Sequence, residues 1–399
     1  MEAMNRRVFV RRGGLACAGL YPLAHVSNHL WAQTAGSGQV SQEISQVGVP
    51  SLSLDCAACS LPSVHVENQR VIRTVVGLRP YRPSGFVVRA EKVDDTLVIH
   101  NYGHGGAGIS LSWGTAQLAL QIGCPGYEGA VAVLGCGAVG LATARLLQEA
   151  GFKVAIYTKT LPPDTTSNAA GGAWTPFLVA DPERVDVRFN QQLLLAAEFA
   201  HKRFLNMLGE QFGVRWIRSY SVAKSGFDES SSIGTQSMFR SMRPEFRDMT
   251  PAEHPFRADS AVRQFDTLLI EPPRYMDAMM GAFREASGTI LVGTIADRAA
   301  IAKLPEKLVF NCTGLGAKDL FQDGELMSAR GQLTFLKPQT EVHYAVSHDE
   351  LYMLPRTDGI VLGGTYELGL TSLRPDMDKM RKILARHKAF FDSYRHTNC

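Results

Sequence analysis

The sequence predicts an α/β fold, with a Rossmann-like lobe on a parallel sheet joined to a second lobe on an antiparallel sheet. Three observations carry this. Val131 to Leu134 is an apolar run of strand length, Gly135-Cys136-Gly137-Ala138-Val139-Gly140 follows at once, and helical apolar spacing continues to Glu149. A second glycine-rich turn, inside Ile99 to Ile122, also separates a strand from a helix. Beyond Val214 the apolar period shortens repeatedly towards that of strands.

In the first turn, Gly135 permits the bend, Gly137 lets the backbone approach a pyrophosphate and Gly140 lets helix pack on strand, so phosphates sit at a positive helix N-terminus. The strand Lys153 to Tyr157 arrives where a βαβ unit needs it. An acid expected on a ribose hydroxyl at the end of that strand is absent. Thr158 and Lys159 stand there, and a basic residue would suit NADP. The upstream segment argues for a flavin instead, because a helix starting near Ile109 points a second N-terminus into the same crevice. One terminus would hold pyrophosphate, and the other can stabilise the anionic edge of a reduced isoalloxazine. An ordinary glycine loop is the plain alternative for this second turn.

These residues resemble the D-amino-acid oxidase and D-aspartate oxidase family of FAD enzymes. The matching pieces are VAVLGCGAVGL, DTTSNAAGGAW (Asp164 to Trp174), LVFNCTGLGA (Leu308 to Ala317), ARGQ (Ala329 to Gln332), YMLPRTDGIVLGG (Tyr352 to Gly364), GLRPYRP (Gly77 to Pro83) and HNYGHGGAG (His100 to Gly108). The resemblance implies a glutathione-reductase-like FAD fold, with FAD lobe mainly 96–180 and 289–331 and substrate lobe mainly 181–288 and 332–374. The order departs from the family. GLRPYRP and HNYGHGG normally resemble the C-terminal end, whereas here each occurs once and precedes the first glycine turn. A circular permutation is therefore expected, with Gly123 to Gly129 as a surface connection, a rearranged coding sequence being the alternative.

The resemblance implies FAD contacts at Gly135, Gly137, Ala138, Val139 and Gly140, and at Thr165, Thr166, Ser167, Gly171, Gly172 and Ala173. Ile295 and Thr313 are further implied contacts, as are Gly105, Gly106, Ala107, Gly108, Ile109 and Ser110 at the second helix. Oxidising an amino acid at Cα requires a grip on its carboxylate, for which an arginine fork is best suited. Arg79 matches the family's carboxylate arginine, Tyr352 the tyrosine that adds a bond to it, and the Gly106 carbonyl the acceptor for the amine. No side chain need act as base, since a neutral amine can lose hydride directly to the flavin. His100 and His104 then read as structural. Oxygen is the expected electron acceptor, and the products would be a 2-oxo acid, ammonia and hydrogen peroxide. The segment before Tyr352 is short, so a second lid tyrosine has no counterpart.

From the start of the chain, paired Arg6-Arg7, Phe9 and an apolar stretch Gly13 to Ala24 resemble a twin-arginine signal, 1–35, implying export to a periplasmic or extracellular location. A basic tail on a cytoplasmic enzyme is the alternative. Residues 36–62 read as a linker. Within it only Cys56 and Cys59 of the seven cysteines form a CxxC, which gives no zinc pattern and leaves a local disulfide open. The 399 residues, 45% hydrophobic and 20% charged, suffice for two lobes. A net charge of +3 without a basic cluster past the leader argues against nucleic acid or a membrane surface, and a homodimer is a further expectation.

Val64 to Val75 reads as a helix tail. Gly85 to Ala90 and Thr96 to Asn101 read as strands, and Leu193, Ala197, Ala200, Phe204 and Met207 as the stripe of a long helix. Val214 to Val222 and Gln264 to Ile270 read as strands of the second lobe, and Arg274 to Glu285 as a helix. Thr289 to Ile295 and Leu308 to Asn311 return to the first sheet. Arg330 to Lys337, Val342 to Ser347 and Ile360 to Leu368 read as antiparallel strands, and Asp376 to Phe391 as a closing helix. The leading function is a D-amino-acid oxidase. A D-aspartate oxidase would need a cation in the side-chain pocket, for which Arg356 and His348 are the candidates. A secreted flavin-binding module without turnover and a nicotinamide dehydrogenase are the remaining readings.

Overall fold

The computed structural model describes residues 61–227 and 238–395. The expected leader, Cys56, Cys59 and all but the last two residues of the expected linker lie outside them. No helix among the described residues is long and apolar enough to cross a membrane.

The strands in chain order are β1 (Val71–Tyr81), β2 (Val87–Val93), β3 (Thr96–Tyr102), β4 (Val131–Leu134), β5 (Val154–Thr158), β6 (Val214–Ala223), β7 (Arg247–Met249) and β8 (Ala261–Ile270). They continue with β9 (Thr289–Val292), β10 (Leu308–Asn311), β11 (Met327–Leu336), β12 (Tyr344–His348), β13 (Leu351–Arg356), β14 (Gly359–Gly363) and β15 (Glu367–Leu368). The helices are α1 (Gly108–Gly123), α2 (Ala138–Glu149), α3 (Val187–Leu205), α4 (Pro272–Glu285), α5 (Arg298–Ala302), α6 (Ala317–Phe321) and α7 (Met377–Asp392).

One sheet has the order β2-β3-β10-β4-β5-β9 and is parallel except for β2, which forms an antiparallel hairpin edge with β3. The other has the order β1-β11-β14-β13-β12-β6-β8-β7, with β15 on β11. It is antiparallel apart from the β12–β6 pair. The four residues of β4 are all buried, as expected of a central parallel strand covered on both faces. The crossover from β3 through α1 to β4 passes β10, which sits between the two strands.

The expected helix tail at Val64 to Val75 is a correction. Asn68–Arg70 forms one 3-10 turn, and β1 then pairs with β11 from Val71 to Tyr81. Its β-branched run suits a strand, and Pro80 is tolerated because β1 is an edge. The stripe on α3 holds, with Leu193, Ala197, Ala200 and Phe204 buried, while Met207 packs just past the helix end.

The two ends of the described chain meet. Ser63 Oγ donates to the Phe391 carbonyl (3.1 Å), Tyr344 OH donates to the Pro62 carbonyl (2.8 Å), and Leu61 packs in one apolar cluster with Phe390 and Tyr394.

Helix α1 is apolar on nearly every side because α2 and α3 both pack against it. The approach to α3 is set by Gly114, where an added Cβ would stand 1.8 Å from the Ala196 carbonyl oxygen. Replacing glycine by alanine in a helix favours folding by up to about 1 kcal/mol, but overpacking against backbone costs about 1–3 kcal/mol. Gly114→Ala should therefore lower the midpoint of thermal unfolding followed by circular dichroism. An unchanged midpoint would mean that the helices have room to separate at this point.

Candidate active site

A cleft of about 1510 Å³ runs along the C-terminal end of the parallel sheet and onto the face of the second sheet that carries Tyr352. That volume exceeds the usual small-molecule pocket and suits a dinucleotide together with a substrate.

The first wall is β4, its turn and the N-terminus of α2. Gly135 has φ +102°, and a Cβ there would meet the Cys312 carbonyl oxygen at 2.6 Å. At Gly140 a Cβ would stand 2.0 Å from the Gly135 carbonyl oxygen, so turn and helix touch backbone to backbone. By contrast, a Cβ at Gly137 has only Ser167 Oγ (3.2 Å) within 4 Å, and the rest of its surroundings is open cleft. Ser167 Oγ accepts from the Ala138 N–H (3.0 Å), fastening the 164–178 segment to the start of α2. Gly137, Ala138 and Val139 line the cleft, whereas Gly140 does not. Gly140 packs the helix on its own turn.

The second wall is the end of β3 and the start of α1. Gly105 (φ +56°) lies so close to the 175–178 loop that a Cβ would meet the Leu178 carbonyl oxygen at 1.9 Å. Gly106 is exposed to the cleft and donates its N–H to the same carbonyl (3.2 Å). Gly108, Ile109 and Ser110 also line the cleft. Ala107, the last residue of the 3-10 turn Gly105–Ala107, is fully buried and does not line the cleft. Ser110 anchors the facing segment: its carbonyl accepts from Trp174 Nε1 (3.1 Å) and its Oγ from the Thr175 N–H (3.2 Å). Within that segment Thr165, Thr166, Gly171, Gly172 and Ala173 face the cleft, and Ile295 and Thr313 complete this side. The Thr313 hydroxyl donates to Asn311 Oδ1 (2.7 Å). Lys159, exposed at the end of β5, faces the cleft where an acid was expected.

These features fit FAD. Two helix N-termini face one cleft, an empty space stands where Gly137 lacks a side chain, and hydroxyl and backbone donors surround it.

Further along the cleft, Arg79 and Tyr352 lie over bare backbone. A Cβ on Gly331 of β11 would stand 2.2 Å from Arg79 Nη1, and one on Gly363 of β14 would stand 2.2 Å from Tyr352 Cζ. The guanidinium stands beside the Tyr352 phenol, and its Nη1 reaches the Thr365 carbonyl (3.4 Å). Burial raises the phenol pKa, against the lowering effect of Arg79, so Tyr352 is a protonated donor at neutral pH. Both residues and Gly106 line the same cleft. ARGQ and LGG were legible as motifs, but the steric role of their glycines was not assigned.

His100 and His104 are structural, as read. His100 lies between Glu91 (3.0 Å) and Asn311 (3.1 Å), and His104 bonds Thr115 (2.8 Å), with burial holding its pKa down to about 3. Cys136 and Cys312 border the cleft as neutral thiols, pushed up by burial to about 11 and about 12. The two candidate cations for a side-chain pocket fail. Arg356 is clamped by Asp358 (2.8 and 2.7 Å) and the Ala170 carbonyl (2.9 Å) and does not line the cleft. His348 lines it but stacks on Phe390 and is held neutral, its pKa lowered by burial to about 4. Sequence reasoning missed Arg243, Phe239, Ser219, Ser221, Ser347 and Tyr366, which also line the cleft. No motif marks them, because strand pairing brings Ser219, Ser221 and Ser347 together and loop packing adds Phe239, Arg243 and Tyr366.

The D-amino-acid oxidase of Dictyostelium discoideum is 28% identical over 269 residues, covering 64% of this chain and 70% of the relative. Human D-aspartate oxidase is 28% identical over 262 residues, covering 64% and 74%. The crystal structure of iminodiacetate oxidase from Chelativorans sp. BNC1 is similar in fold, with a TM-score of 0.51, 16% identity and coverage of 66% and 79%. Residues 130–397, more than half of the chain, match the family model described as FAD dependent oxidoreductase, and the chain belongs to that FAD-binding family.

Proposed function

We propose that the protein is a D-amino-acid oxidase, converting a D-amino acid and oxygen to a 2-oxo acid, ammonia and hydrogen peroxide. The observation that carries this reading is the Arg79–Tyr352 pair, held over Gly331 and Gly363 at one end of a dinucleotide cleft. The D configuration rests on the names of the relatives.

FAD held by the turn at Gly135–Gly137 and the 164–178 segment would supply the acceptor for the Cα hydride and the route of the electrons to oxygen. This chain's residues do the rest by position. Arg79 takes the carboxylate with two parallel charge-assisted bonds, and Tyr352 donates a third. The Gly106 carbonyl accepts from the amine, which binds neutral so that its lone pair can stabilise the developing positive charge at Cα. Nearby histidines are committed to structural bonds and held neutral, so none competes for the substrate carboxylate.

We infer in addition that the chain order is a circular permutation of the family's. The family match starts at residue 130, while β1, β2, β3 and α1 upstream of it complete both sheets. The bond from Ser63 to the Phe391 carbonyl and the packing of Leu61 in one cluster with Phe390 and Tyr394 support a family-order connection at that point.

Three variants test the site. Gly137→Val places a side chain in the open space at the turn and should purify without FAD absorbance; a full complement of cofactor would refute the assigned turn. Arg79→Lys keeps the charge but loses the fork, so it should retain FAD and bind D-amino acids more weakly by about 1.5–3 kcal/mol. The measurement is anaerobic stopped-flow reduction against concentration, with L-amino acids as the control for configuration. Gly331→Ala should push the Arg79 guanidinium off its seat and weaken carboxylate binding in the same direction while FAD content stays at the parent level. Parent-like saturation in Gly331→Ala would show that the arginine's position on the sheet is immaterial.

A further inference from the structure

Helix α7 covers the face of the second sheet that points away from the cleft. Its Met380, Leu384 and Phe391 pack with Val346, Met353 and Leu362, and Met353 alternates with Tyr352 along β13. Two imidazoles are set into this apolar contact. His387 of α7 is fully buried, and His348 at the end of β12 is nearly so and stacks on Phe390 with ring centroids 3.7 Å apart. His348 Nε2 lies 3.2 Å from His387 Nδ1, and His387 Nε2 lies 3.4 Å from the Gly363 carbonyl. A carbonyl can only accept, so His387 Nε2 carries a proton, His387 Nδ1 accepts from His348 Nε2–H, and both rings are neutral. The carbonyl belongs to the glycine that seats Tyr352 on its other face.

A third ring proton has no favourable place. On His387 Nδ1 it would set two donors against each other, and on His348 Nδ1 it would bury an imidazolium among cations. Arg386 of α7 donates to the Asp349 carbonyl (2.6 Å), and Lys224, just past β6, takes the Asp349 carboxylate (3.3 Å), with Glu350 completing the turn. Burial lowers the His348 pKa to about 4, helped by Arg386 and Lys224, and that of His387 to about 3, helped by His348.

We propose that the His348–His387 pair is an acid-sensitive latch, which docks α7 on the second sheet at neutral pH and releases it reversibly in mild acid while the cofactor lobe stays closed. The released helix exposes both rings, which then bind protons at an ordinary histidine pKa of about 6.5. The docked form therefore keeps its full advantage above about pH 6.5 and loses it as pH falls towards about 4. Over that range the released fraction grows by up to about ten-fold per pH unit for each histidine. Release also removes the bond to Gly363, so the strand beneath Tyr352 loses its backing. The latch is independent of which substrate the cleft takes.

The test is hydrogen exchange of the flavin-loaded protein between about pH 7 and about pH 4.5, corrected for the intrinsic pH dependence of exchange, in the parent, His348→Gln and His387→Gln. In the parent, protection of α7 should fall at least ten-fold more than that of α2 and should return at neutral pH. In His348→Gln, whose amide can still donate to His387 Nδ1, the pH-dependent part of that fall should shrink by about ten-fold. Equal loss in α7 and α2, no loss in α7, or loss that does not reverse overturns the latch, whether or not the variants fold. An unchanged fall in both variants overturns it too, since the protons then bind elsewhere. If neither variant folds, the titration of the two rings in the parent by NMR decides. Rings that stay neutral until α7 is released uphold the latch, and rings that titrate near 6.5 while α7 remains protected overturn it.

Discussion

Two side chains lie flat on a sheet because two Cβ atoms are absent beneath them. Without the bare backbone at Gly331 and Gly363, Arg79 and Tyr352 would be lifted away from the strands, and the grip proposed for a carboxylate would lose its fixed height above the cleft floor. The same device recurs on the cofactor side. Gly140 lets α2 touch its own turn, Gly105 lets the 175–178 loop close over the start of α1, and Gly137 leaves a space facing the cleft. Position, more than reactivity, is what this chain supplies, which is consistent with a cofactor that performs the redox step.

The charge lining the cleft is mixed. Helix N-termini, Arg79, Lys159 and Arg243 favour negative charge, Asp164, Asp319, Asp349 and Glu350 oppose it, and the buried histidines add none because burial keeps them neutral. An anion such as a pyrophosphate is therefore favoured locally, at the helix N-termini, and not by the cleft as a whole.

Local signals were legible and remote ones were not. The strand, turn and helix around Val131 to Glu149 are contiguous, so apolar period and glycine spacing determine them, and the structure places each within a residue or two. Val64 to Val75 was misread as helical because a short apolar run does not declare its period, and its strand character comes from β11, more than 250 positions away. Arg356 looked available as a pocket cation, yet Asp358 two residues on takes its guanidinium. Arg243 carried no signal because it follows a short 3-10 turn and meets the Phe265 ring only through tertiary packing that no local motif encodes.

Arg79 sits on β1, and β1 is paired on one side only. The cofactor turn, in contrast, springs from β4, buried in the middle of the parallel sheet between β10 and β5. Local opening starts where a strand has fewest partners, so the two halves of the site differ in durability. Under mild heat or denaturant the Arg79 end of the cleft opens before the cofactor turn, so FAD is retained after the contact proposed for the carboxylate is gone.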